Sequence, residues 1–195
     1  MAYTTKYGFI YKRHLTPSVE TPSFLLVTLA NSAGPLVVGN AVKYSSGYLV
    51  GAPVSSSILG ILIGFVNKYG DDIFKSTNGP AVKGTKSGDD TYTAANDNVT
   101  VDQVQGVVKI DIDALFFAYS DSSLTQASVG LFFNGKVNAN TYIDGVTGTG
   151  SSYSAGSYQF QLVELVTQLG DGTTVANAGL FRIARSQLLI NDPTA

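Results

Sequence analysis

Short runs of apolar residues alternate with clusters of small polar residues along most of the chain. They recur at roughly 8–12-residue intervals, the spacing of strands in a β-sandwich or barrel. Residues 24–29 read as a first strand, ended by Asn31-Ser32-Ala33-Gly34-Pro35. Residues 36–42 form the next, Ser45-Ser46-Gly47 turns the chain, and Tyr48-Leu49-Val50 returns. Residues 58–66 are continuously apolar, as expected of a strand buried on both faces. A second β block opens at Val107. There Val108, Ile110, Ile112 and Ala114 share one face, and Lys109, Asp111 and Asp113 share the other, which reads as solvated. Residues 115–119 are wholly apolar, and 120–123 turn the chain. Residues 128–133 run into Asn134-Gly135, a strong hairpin signal. Residues 145–156 read as a Gly/Ser/Thr loop, 158–166 as a strand, Gly170-Asp171-Gly172 as a loop, and 179–190 as one or two closing strands. Helical spacing never lasts beyond a turn or two. The pattern predicts an all-β fold, an antiparallel sandwich or small barrel with long loops.

Two segments depart from it. Residues 1–24 hold Lys6, Lys12, Arg13 and His14, prolines at 17 and 22, and Tyr3, Tyr7 and Tyr11, with poor periodicity. They read as an extended N-terminal arm preceding one β domain over 25–195. A frayed, solvated terminus is the plain alternative. The functional reading has the arm ordering against a neighbouring subunit. Its contact residues are then Tyr7, Phe9, Ile10, Tyr11, Lys12 and Arg13, with Phe9, Ile10 and Tyr11 as the apolar anchor. The second departure is the polar, turn-rich stretch over about 67–105, which includes Asn78-Gly79-Pro80 and residues 83–90. A loop of this length tends to be functional, and it is expected to bridge subunits.

Composition narrows the field of functions. Charged residues make up 13% of the 195, about half the ~25% usual for soluble domains. Gly, Ser, Thr and Asn fill 69 positions instead, which suits strands and turns and disfavours a helical bundle. With 12 basic and 14 acidic residues there is no basic field for nucleic acid and no polybasic run for an anionic membrane. Cysteine is absent, which excludes disulfide scaffolds, thiolate metal sites and Cys nucleophiles. Residues 1–15 lack the apolar stretch of a secretory signal, and the longest apolar run is far short of the ~20 residues of a membrane helix. The expectation is a soluble protein made without export.

No motif supports catalysis. Residues 130–136, GLFFNGK, approach a phosphate-binding loop, but Val137 stands where a hydroxyl would hold magnesium and bulky residues fill the loop. Gly70-Asp71-Asp72 and Gly88-Asp89-Asp90 resemble polymerase metal turns in a chain too short for a polymerase, and read as capped turns. Asp111 and Asp113 share a face that could hold a divalent ion, though solvation is the better reading. His14 is the sole histidine, so any triad or His-ligated metal would have to use it. Glu164, in a mostly apolar strand, is expected to pair with Arg182 or Arg185. Asn98-Val99-Thr100 forms a glycosylation sequon without consequence in an unexported chain. No catalytic, cofactor-binding or metal residue is assigned.

Three segments together carry a family resemblance. VVGNAVKYSSGYL (37–49) with Ile58-Leu59-Gly60-Ile61, AYSDSSLTQASVG (118–130), and residues 158–166 followed by a G-D-G-T loop and LFRIARSQL (180–188) resemble small β-rich decoration or cement proteins of tailed phages. The likeness spans about half the chain and is built from strand and turn patterns. It implies a non-enzymatic virion protein on the capsid exterior, assembled in the host cytoplasm, that bridges major capsid subunits as a homo-oligomer, a trimer before a dimer. It implies no nucleic-acid or membrane partner. The surplus of aromatics, 11 Tyr and 10 Phe, fits an interface protein. The alternative is a carbohydrate-binding head-fibre or tail module, with Tyr142, Tyr153 and Tyr158 as stacking surfaces.

Overall fold

A computed structural model describes residues 8–15, 23–75, 82–137, 143–152, 158–166 and 176–188. Their strands, in chain order, are β1 (Ile10–His14), β2 (Phe24–Thr28), β3 (Leu36–Val37), β4 (Ala41–Ser45), β5 (Tyr48–Gly51), β6 (Gly60–Val66) and β7 (Thr85–Ser87). There follow β8 (Thr91–Thr93), β9 (Gln105–Lys109), β10 (Ala114–Leu124), β11 (Phe132–Val137), β12 (Ile143–Ser151), β13 (Phe160–Leu165) and β14 (Ala176–Ile183). Among the described residues the helical content is one 3-10 turn, Gln126–Ser128. The fold is all-β, as the strand pattern predicts.

The strands close into rings. β10, β12, β11, β13 and β14 pair in that order, and β14 pairs back onto β10. The seam is the contact of β10 with β12, a parallel pairing at Ser120 and Val146. The five-stranded sheet β2-β9-β6-β4-β5 is drawn round by a bridge from Leu29, just past β2, to Leu49 on β5, giving a second small barrel. Closure removes most of the exposed edges that an open sheet of this size would leave. The three-stranded sheet β3-β8-β7 covers the second barrel, placing Leu36 and Tyr92 in its core.

The apolar run 58–66 holds the two halves together. Ile58 and Ile61 enter the core of the first barrel, while Leu59, Leu62 and Phe65 enter the core of the second. On β6 the neighbours Ile61 and Leu62 face opposite cores, as alternation along a strand requires, and the register shift between Leu62 and Gly64 returns Phe65 to the second core. This fulfils the reading of that strand as buried on both sides. The turn at Ser46-Gly47 also forms as expected, with φ of 51° and 84° that suit a tight hairpin.

The N-terminal arm is a correction. Over 8–15 the chain belongs to the fold: β1 pairs antiparallel with β10, Ile10 opposite Phe117 and His14 opposite Ala114. Phe9 is 2% exposed and stacks on Phe160 at 4.4 Å between ring centroids. The Phe9 amide donates to the Gly39 carbonyl at 2.8 Å, so the segment spans both barrels. Poor periodicity misled because β1 is short and bulged, with a register shift between Tyr11 and Arg13. Tyr3, Lys6, Tyr7 and the prolines lie outside the described residues.

The stretch over 67–105, expected as a long loop, packs into the fold in its described parts, although Asn78-Gly79-Pro80 falls outside them. Ile73, Tyr92, Ala94 and Val104 are buried in the second core. Asn98 acts there as a polar staple. Its amide donates to the carbonyls of Leu29 and Val104 at 2.9 and 3.3 Å, and its oxygen accepts the Val104 amide at 3.1 Å. Burial of that amide keeps the sequon out of reach in the folded chain. Gly88-Asp89-Asp90 is a turn, whereas Gly70-Asp71-Asp72 runs from the bend after Asn67 into a bridge between Asp72 and Val66. At that bend, Asn67 Oδ1 accepts the amides of Tyr69 and Asp71.

Asn134-Gly135 is not a hairpin turn but the middle of β11. The glycine serves packing: a Cβ there would sit 2.5–2.8 Å from the Ile143 side chain across the strand pair. Gly135→Ala is therefore expected to destabilise by about 1–3 kcal/mol through overpacking. A companion Ile143→Val should recover part of that loss in urea denaturation. An equal loss in both backgrounds would contradict the contact. The expected strand over 36–42 divides into β3 and β4, and most of the expected 145–156 loop is strand β12.

Candidate functional site

The described parts of the N-terminal segment lead to a buried charge. Tyr11 is half-buried, packs edge-on against Phe116 at 6.1 Å, and turns its ring toward Lys109. Lys109 is 2% exposed, which corrects its reading as an outward residue on a solvated face. The ammonium lies between two aromatic faces, 4.8 Å from the Tyr11 centroid and 5.1 Å from that of Phe24. Asp111 Oδ2 forms an ion pair with it at 2.6 Å, and His14 Nε2 stands 3.7 Å from the same oxygen.

Burial pushes the Asp111 carboxyl up, but hydrogen bonds from Lys109 and Ser23 and the charges of Lys109 and His14 more than offset this. The carboxyl is held below its ordinary range. A carboxylate engaged by an ammonium in this way is a structural clamp rather than a vacant ligand for a divalent ion. Asp113 is exposed, and its backbone carbonyl accepts the Leu15 amide. The clamp ties β1 and β2 to the end of β9, where the two barrels meet.

Phe24 continues outward from the clamp. β2 is the outer strand of its sheet order, and Phe24 and Leu26 project from one of its faces, 48% and 51% exposed. Val107 lies opposite Leu26 on β9, and Gly64 beside Val107 on β6 adds no side chain. The result is a low apolar strip on the outside of the second barrel. Clustered exposed apolar residues of this size mark contact surfaces more often than isolated ones do.

The sequence-derived contact residues are dispersed. Phe9 is core. Ile10 and Lys12 are exposed, the latter with its ammonium 5.7 Å from the Phe117 ring centroid. Arg13 forms a half-exposed ion pair with Glu164, which corrects the expected pairing of Glu164 with Arg182 or Arg185. Tyr7 lies outside the described residues, as do Tyr142 and Tyr153 of the glycan-stacking alternative. Sequence reasoning missed Phe24, Leu26 and Lys109. The available signal was Lys109 with Asp111, two positions apart and hence on one strand face, beside the apolar stretch 24–27.

Among the described residues no three His, Asp or Glu side chains gather in a way that could hold a metal ion. No helix there is long and apolar enough to cross a membrane. No protein-family model, curated protein or solved structure matches the chain.

Proposed function

We propose that the chain is a non-enzymatic structural protein of a tailed-phage particle, decorating or cementing the head by bridging major capsid subunits. The observation that carries this reading is the strip on β2, where Phe24 and Leu26 stand about half exposed side by side on an outer strand. Burying a side chain of this size contributes about 1.5–3 kcal/mol. Two of them give weak binding per copy, which a repetitive shell converts to firm attachment when several copies are joined. A homo-oligomer, a trimer in the first instance, belongs to the same proposal. The low charge supports it too, because few desolvated ions have to be matched across the contact.

Leu26→Asp tests it. The variant should fold with an unchanged melting temperature, since the side chain faces solvent. Its co-sedimentation with shells of the cognate major capsid protein should weaken by tenfold or more, the equivalent of about 1.4 kcal/mol. Undiminished binding by the variant would remove the strip from the contact. A wild-type chain that ignores shells and adsorbs to host cells or glycans would replace the proposal by the carbohydrate-binding reading.

A further inference from the structure

A second surface feature lies on the other barrel. β13 and β14 place Gln161 opposite Arg182, and both point away from the core that Phe160, Leu162, Phe181 and Ile183 fill. A shallow groove of about 240 Å³ runs beside them, walled by Leu15, Val129 and Val163. Its polar chemistry is ordered. Gln161 Nε2 donates to the Gly130 carbonyl at 2.8 Å, which fixes the amide and turns its oxygen toward Arg182. Arg182 Nε donates to that oxygen at 2.6 Å.

The guanidinium is thus gripped by its side edge, and its two terminal amino groups remain as a parallel pair of donors. Among the described residues no carboxylate lies within ion-pair distance of Arg182, because Glu164 is engaged by Arg13. A cation held in one orientation, flanked by apolar walls and without a counter-charge among the described residues, is poised for an anion. Fork geometry selects a planar carboxylate, which accepts both donors together. Size sets the limit on what can follow the carboxylate. The groove is smaller than the ~300–1,000 Å³ typical of ligand and cofactor pockets. It suits one acidic group with a short apolar stem.

We propose that the Arg182 groove is a carboxylate-recognition site that takes one acidic group of a partner polypeptide, either an Asp or Glu side chain or a chain terminus. The site stands on the opposite barrel from the β2 strip and does not rest on the capsid reading.

The test follows the Arg182 Nε–H resonance and the Gly130 and Gln161 amides by NMR during titration of the full chain. N-acetylglutamate α-amide presents a side-chain carboxylate, N-acetylglycine a terminal one, and N-acetylglutamine α-amide neither. Saturable shifts at these three positions with at least one acid, and none with the amide, are expected. The arm that saturates first identifies the source. Arg182→Lys keeps the charge but loses the fork, and should weaken binding about tenfold. Gln161→Leu frees the guanidinium from its anchor and should weaken it as well, while both variants keep the wild-type amide spectrum elsewhere. Absence of shifts with either acid would overturn the proposal, as would equal binding by Arg182→Lys or equal displacement by sulfate. If the chain still binds shells in that case, the capsid reading survives alone.

Discussion

Phe9→Ala will lower the stability of the chain by about 3–5 kcal/mol, the loss that follows emptying a buried phenylalanine site. The ring is buried in the first core and stacked on Phe160, and the amide beside it is tied to Gly39 of the other half. The groups around it are held by β-sheet pairing and cannot collapse freely into the void. For a chain of 150–250 residues each kcal/mol moves the melting temperature by ~2–4 °C, so a fall of roughly 6–20 °C is expected. Calorimetry or circular dichroism reads it directly. An unchanged melting temperature would mean that the segment is the loose arm that its sequence suggests.

Asp111→Ala should have the second largest effect. It leaves the Lys109 ammonium buried without its counter-charge, a change that typically destabilises by 3–5 kcal/mol. The lower end, about 3 kcal/mol, is expected because the Asp111 side chain keeps 18% of its exposure. Replacing both partners with apolar residues, Lys109→Met with Asp111→Leu, removes the stranded charge and should be milder than the single change. The loss should also depend on pH. The carboxyl is held below its ordinary range in the folded chain, so its stabilisation is complete above the unfolded value near ~3.9 and fades as pH falls through the folded value. The gap between wild type and Asp111→Ala should therefore close in acid. A single variant as stable as wild type at neutral pH would show that the clamp is solvated and unimportant.

Local pattern was a sound guide wherever one strand obeyed one rule. Continuous apolarity over 58–66 marks a strand with two buried faces, and the structure uses those faces for two separate cores. Small residues at 46–47 mark a hairpin because only a few side chains tolerate the required φ. The failures share a physical origin in long-range packing. Asn134-Gly135 looks like a turn, but the glycine is there to admit Ile143 from a strand that follows it in the chain. Lys109 looks like a solvated residue by alternation. It is buried because Tyr11, 98 positions earlier, folds over it and Asp111 neutralises it.

The candidate site was less legible than the fold for the same reason. Phe24 and Leu26 read as ordinary strand residues, and nothing local says that the face they occupy is left uncovered. The Arg182 groove depends on Arg13 reaching Glu164 across 151 positions, a pairing that periodicity cannot express. The contact residues expected nearer the N-terminus stand out by composition alone, and the structure spends one of them, Phe9, on the core.

Copy number is the sharpest test of the proposed place in a particle. On the proposed decoration role a tailed phage encodes the chain, and quantitative mass spectrometry of its purified virions should find the chain at hundreds of copies per particle, in fixed proportion to the major capsid protein. Release of those copies without loss of the shell would place them on the exterior. A chain confined to the infected-cell lysate, or present at only a handful of copies per virion, would contradict the decoration reading.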